Sequence, residues 1–258
     1  MDYKTIANDS RKKVLELVYK AGTSHIGSLM GCADIIAVLF EKIDLDKDKF
    51  ILSAGWKAAM LYYHLWRKGR ITLKELNSYC QKGSKWIGLA EPVHKDIPFA
   101  GGSMCMGIAA GVGFALSKKL NNDNGKVVVL ESDGALNGGI TWEAAMIASH
   151  HHLNNLFVIV ERNFLQAMGG THDILEIEPL VDKWKAFGWE VRQVDGHYHE
   201  QIERALTYPP LYRNRPVVII ATTIKGRGVS FMENVNLWHY AKLEKSDYEN
   251  ALIELNNV

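Results

Sequence analysis

The chain alternates between short apolar runs and longer stretches in which apolar residues recur at helical intervals. FILS (50–53), VVVL (127–130), LFVIV (156–160) and PVVIIAT (216–222) have the length of strands buried in a parallel sheet. EVRQV (190–194) is a further strand candidate. The spacing predicts an amphipathic helix over 3–20, with Ile6, Val14, Leu17 and Val18 on one side and basic residues on the other. It stops at Gly22, and TSHIGSLMG reads as a loop before a second helical pattern in CADIIAVLFEKI. FILS feeds AGWKAAMLYYHLWRKG, helical and ended by Gly69, after which Thr72 and Glu75 have capping-box spacing. Residues 81–102 lack a period and predict a long loop of the kind that carries function. The glycines of GIAAGVGFALSKKL weaken a helix, and are usually tolerated where another backbone or a ligand comes close. Further on, LEIEPLVDKWKAFG reads as a helix ended by Gly188, YHEQIERALTY as one closed by Pro209, and SDYENALIEL as one capped by Ser246. With no repeat or linker in sight, residues 1–258 predict a single doubly wound α/β domain with a mostly parallel sheet.

The segment from Val127 to Gly169 organises the rest. Each of its two apolar runs ends in a carboxylate and a polar turn, Glu131-Ser132-Asp133-Gly134 and Glu161-Arg162-Asn163. Between them Trp142, Ala145, Met146, Ala148 and Ser149 fall at helical spacing. A right-handed crossover brings both strand ends to one edge of the sheet, where Asp133 and Asn163 face each other. A carboxylate and an amide carbonyl are hard oxygen donors that suit a Mg2+ shared with a ligand's phosphates, and the next helix start offers N–H groups to them. On the other reading, Asp133 and Asn163 only cap turns of a generic strand–helix–strand unit.

Composition narrows the picture without redirecting it. Apolar content of 47% and charged content of 23% are ordinary for a soluble globular protein, and a net charge of +1 points to neither nucleic acid nor an anionic membrane. No run is long enough to span a bilayer, and MDYKTIANDSRKK lacks the apolar core of a signal peptide. Cys32, Cys80 and Cys105 are scattered, which argues against a disulfide framework or a zinc site and makes a cytoplasmic location the expectation.

Asp-Gly, a Trp-Glu-Ala helix, then Asn and Leu-Gln followed by Gly resembles the thiamine-diphosphate motif of transketolases. The likeness extends through SHIGSLMGCADIIAVLF, DKFILSAG, VDKWKAFGW, VDGHYHEQI and IIATTIKGRGVSFMENVNLWH. It is to the amino-terminal, diphosphate-binding half, and most of all to transketolases divided into two polypeptides. The resemblance implies thiamine diphosphate as cofactor and Mg2+ held by Asp133, Asn163 and the backbone carbonyl of Leu165. It sets Ser132, Gly134, Ala135, Trp56, Gly102 and Met104 at the cofactor, with Gly134 letting backbone approach the diphosphate. It makes His25 and His239 the catalytic histidines. The pyrimidine-binding domain, with the glutamate that activates the cofactor, is expected on a separate carboxy-terminal subunit in an α2β2 assembly.

Departures from the family pattern fall at the substrate end. Trp56 and Leu89 stand where the family writes histidines that bind diphosphate and the hydroxyl of the two-carbon fragment. Ser132 replaces a glycine, and Ala135 and Gly138 replace glutamates of a contact between protomers, whereas Glu143 is retained. A buried hydroxyl left without its partner costs ~1–3 kcal/mol. Trp56 and Leu89 thus favour a donor fragment with a methyl group, such as one from pyruvate or a deoxyketose, unless a partner chain restores the contacts. The readings to be separated are a two-carbon transferase acting on sugar-like carbonyl compounds, an acyloin-forming synthase with a keto-acid donor, and a non-catalytic scaffold. Elsewhere, His150, His151 and His152 are consecutive and do not chelate together. Tyr62, Tyr63 and Trp66 read as packing. The loop of Lys225 and Arg227 follows a strand end on the ligand side, which favours phosphate neutralisation over a solvated turn.

Overall fold

A computed structural model describes residues 2–257. The apolar runs form a five-stranded sheet of β1 (Lys49–Leu52), β2 (Val127–Ser132), β3 (Leu156–Arg162), β4 (Glu190–Asp195) and β5 (Val217–Thr222), in the order β1-β2-β3-β5-β4. Every pairing is parallel, with Leu130 opposite Ile159 and Ile159 opposite Ile219. Because side chains alternate across a sheet, each run feeds two cores. Phe50, Leu52, Val128, Leu130, Phe157 and Ile159 enter one, and Ile51, Val127, Val129, Leu156 and Val158 the other.

The first core is covered by α1 (Tyr3–Ala21), α2 (Ile26–Gly31), α3 (Ala33–Lys42), α4 (Ala58–Arg67) and α5 (Leu73–Asn77). The second lies under α6 (Met106–Leu120) and α7 (Gly139–His150). A short α8 (Thr171–Ile174) precedes α9 (Leu180–Ala186), which also packs on the second face. Finally, α10 (His199–Thr207) and α11 (Lys245–Asn256) join the first. The sheet is thus doubly wound as expected, and wholly parallel. No helix among the described residues is long and apolar enough to cross a membrane.

Several local expectations hold. Gly22 and Gly69 take left-handed φ values of 61° and 68° where helices end. The Thr72–Glu75 capping box forms with N–H···O distances of 2.9 and 3.2 Å. The glycines of α6 let it lie against the sheet, since a Cβ on Gly111 would come within 2.6 Å of Val129 and one on Gly107 would meet Ser53.

Four expectations need correction. TSHIGSLMG is not all loop: Ile26–Gly31 is helical and wholly buried, because the apolar ILM residues pack under the strand ends. The helix expected over LEIEPLVDKWKAFG spans only Leu180–Ala186, since Pro179 restricts the residue before it and sits at the helix cap. The last helix starts at Lys245 with Glu244 as its cap, whose N–H donates to Asp247 at 2.9 Å, so Ser246 lies inside it. After β2, a 3-10 turn of Asp133–Asn137 intervenes, and the start of α7 does not border the site.

Candidate active site

The carboxyl ends of the central strands open on a cavity of about 500 Å3. His25, Trp56, Gly102, Met104, Ser132, Gly134, Ala135, Asn163, Leu165 and His239 all line it, while Asp133 lies behind the wall at 1% exposure. Another cleft, of about 610 Å3, runs along β4 and brings together none of these residues.

Asp133 ties the two strand ends together. Its Oδ2 accepts the N–H groups of Asn163 (2.9 Å) and Phe164 (2.7 Å), and its Oδ1 that of Gly134 (2.8 Å). Asn163 Oδ1 accepts the N–H of Leu165 at 3.0 Å, and the chain then doubles back so that Leu165 bridges Gly170. Burial pushes the Asp133 carboxyl up to about 6, against the pull of its backbone donors. It makes no ion pair with a basic side chain among the described residues. A buried carboxylate with backbone donors and no cation, beside an amide oxygen, is a donor set that fits Mg2+. Among the described residues no cluster of three or more His, Cys, Asp or Glu could hold a metal, so beyond the Asp133 carboxylate any Mg2+ here would rely on amide, backbone and ligand oxygens. At Gly134 the nearest neighbour is Gln166, whose Cγ would lie 2.8 Å from a Cβ there; both residues line the cavity.

The opposite wall holds the histidines. His25, with a left-handed φ of 70°, precedes α2, and its N–H donates to the carbonyl of His239 at 3.1 Å. The two rings are 5.1 Å apart, and Trp56 and Tyr240 lie 6.3 and 5.8 Å from His25. Burial, then Lys225, lowers both histidines, His239 to about 3. Lys225 Nζ sits 2.8 Å from His239 Nδ1. An ammonium can only donate, so Nδ1 accepts and the proton of neutral His239 is on Nε2. Lys225 is fully buried, which brings it down to about 8, so it is no solvated turn; Arg227 instead pairs with Glu233 at 3.4 Å.

At the departures, Trp56 faces the cavity, and Leu89 is 37% exposed on the 81–102 loop. That loop is seated by backbone hydrogen bonds between Gly55 and Gly101 (3.1 Å) and between Ala90 and Gly55 (3.0 Å). A Cβ on Gly138 would collide with Cys105 Sγ, so no glutamate fits there without rearrangement. Tyr62 and Tyr63 are packing, as expected, and His150, His151 and His152 are exposed. Ser28, Lys57 and Tyr240 also line the cavity and escaped the sequence reading. Tyr240 adjoins His239 and was within reach; Lys57, inside a helical pattern, gave no signal.

The fold that carries this cavity is that of the thiamine-diphosphate-binding proteins. The family model described as the thiamine diphosphate binding domain of transketolase matches residues 3–255, and the chain belongs to that family. It is 32% identical to one of the apulose-4-phosphate transketolase subunits of Phocaeicola vulgatus, covering 95% of this chain and 91% of that one. It is also 32% identical to a 6-deoxy-6-sulfo-D-fructose transketolase subunit of a Clostridium species, covering 99% and 96%. A crystal structure of Campylobacter jejuni transketolase superposes with a TM-score of 0.92 at 28% identity, over 99% of this chain and 43% of that one. The chain thus spans under half of the single-chain transketolases and nearly all of the separate subunits.

Proposed function

We propose that this chain is the amino-terminal, cofactor-binding subunit of a two-component enzyme that transfers a two-carbon unit between sugar-like carbonyl compounds. One observation carries the reading: Asn163, held from behind the wall by Asp133, lines the same cavity as the His25–His239 pair. Asp133, Asn163 and the Leu165 carbonyl would hold Mg2+, and Ser132, Gly134, Ala135, Trp56, Gly102 and Met104 would border the cofactor. Thiamine diphosphate supplies a carbanion and an electron sink when bound. Lys225 offsets negative charge beneath the site, and neutral His239 presents an Nε2–H donor toward it. His25, kept neutral by burial, is available to accept a proton from a donor hydroxyl.

The pyrimidine end is proposed to be met by a carboxy-terminal partner subunit, most simply in α2β2. Exposed Met104, Phe164, Met168, Leu237 and Tyr240 support this, since such residues rarely cluster on a surface that faces only water. Trp56 beside His25 favours donors with a less polar fragment than a hydroxymethyl ketone, which keeps a keto-acid-dependent acyloin synthase as the second reading. The relatives named for apulose 4-phosphate and 6-deoxy-6-sulfofructose support the sugar reading. The chain is to be co-expressed with a transketolase-like carboxy-terminal half, and ketoses and pyruvate screened with thiamine diphosphate and Mg2+. Two-carbon transfer from a ketose supports the first reading, turnover of pyruvate alone the second. Cofactor binding without turnover of any donor would leave only a scaffold.

A further inference from the structure

Two carboxylates interrupt the apolar strands just before the site, one on each face of the sheet. Glu131 lies two residues before Asp133 and bonds Ser53, whose Oγ also accepts the N–H of Gly107 at 3.1 Å. Glu161 lies two residues before Asn163 and forms an ion pair with Lys57. Both partners of that pair have 0% exposure. The other oxygen of Glu161 accepts from Thr223 Oγ1 at 3.2 Å. A Cβ on Gly31 would come within 2.8 Å of the same oxygen, so the last turn of α2 is pressed against it.

One buried carboxylate thus ties its own strand end to three other segments that carry the cavity walls. Lys57 follows Trp56 on the exit from β1, and Thr223 precedes Lys225 by two residues on the exit from β5. The helix α2 carries His25 at its start and Ser28 in its first turn. Glu161 itself leads, through Arg162, to Asn163. A buried ion pair is a poor source of stability, because desolvating two charges offsets most of their attraction; its best-attested use is to fix register.

We propose that Lys57 and Glu161 are positioning residues, whose buried pair keeps the metal corner and the histidine wall facing each other across the cavity. The proposal rests on the cofactor reading above. Residues that orient metal ligands without touching the metal typically change affinity by about 10- to 100-fold when replaced. Removing Lys57 alone strands a buried carboxylate and confounds folding with function, so the informative variant removes both charges.

The test titrates thiamine diphosphate with Mg2+ into the assembled two-chain protein by calorimetry, alongside thermal unfolding. Lys57→Met/Glu161→Met is expected to unfold near the wild-type midpoint and to bind the cofactor about 10- to 100-fold more weakly. Thr223→Val, which deletes one hydroxyl contact to Glu161 and leaves the Lys57 pair in place, is expected to lower the unfolding midpoint and to weaken binding about threefold or more. Wild-type affinity in the double variant would overturn the proposal. So would failure of the double variant to fold, since the pair would then supply stability rather than placement. Asp133→Asn separates the two claims: if it binds as tightly as wild type, the cofactor reading itself is wrong, whatever the double variant does.

Discussion

Replacing Lys225 with methionine should strengthen the cofactor-free fold and weaken the site. The ammonium is fully buried and its nearest partner is a neutral imidazole nitrogen at 2.8 Å. Burial lowers it from 10.5 to about 8, although Glu161 and Asp133 pull the other way. At pH 7 the group is protonated both folded and unfolded, and the folded state bears a cost of at most about 3 kcal/mol for holding that charge. Methionine keeps the length of the side chain and removes the charge. After the bond to His239 is subtracted, a gain of about 1–2 kcal/mol remains. Between pH 8 and 10.5 the unfolded chain holds a proton that the folded chain has lost, so wild-type stability contributed by this group rises through that window. The variant should lose that rise. In the assembled enzyme the same change should weaken thiamine diphosphate by about 10- to 100-fold, through loss of a charged donor beneath a diphosphate. Urea unfolding at pH 7 and pH 10, without and with cofactor, measures all of this. A variant less stable than wild type at pH 7 without cofactor, or one with the same gain between pH 8 and 10.5, would refute the reasoning.

Two other substitutions probe the cavity wall and the packing of α6. Trp56→His should raise kcat/KM for hydroxymethyl ketose donors relative to pyruvate by about 10- to 100-fold, by giving the donor hydroxyl a partner; an unchanged ratio in a paired-donor assay would clear Trp56 of a role in selection. Gly107→Ala places a Cβ against Ser53 and should destabilise by about 1–3 kcal/mol in urea unfolding, whereas Gly113→Ala, with open space around it, should not.

Much of this could be read before the structure because the informative residues are local. VVVL and LFVIV announce buried strands, and the residues that follow each run, Asp133 and Asn163, are set on one edge by the parallel crossover that joins them. The resemblance to transketolases then added His25 and His239, which share the cavity from opposite ends of the sequence. What stayed hidden depends on tertiary contact. Lys57 looks like a solvated helix lysine, and only the fold puts it against Glu161. For Lys225 the strand end before its loop already points to the ligand side, and what stayed hidden is its full burial and its bond to His239 of the 3-10 turn Asn236–His239. The helical reading of LEIEP failed for a different reason, because apolar spacing outweighed a proline that bars helix before it.

The central claim is that the two strand ends hold Mg2+ and, through it, the diphosphate. Calorimetric titration of thiamine diphosphate with and without Mg2+, in wild type and Asp133→Asn, tests it most directly. Asp133→Asn nearly keeps the shape of the side chain but removes its charge and replaces one of the two oxygens that accept the N–H groups of Gly134, Asn163 and Phe164 with an NH2 donor. The account predicts Mg2+-dependent binding by wild type and loss of that dependence in the variant. Equal, Mg2+-dependent affinity in both would contradict it.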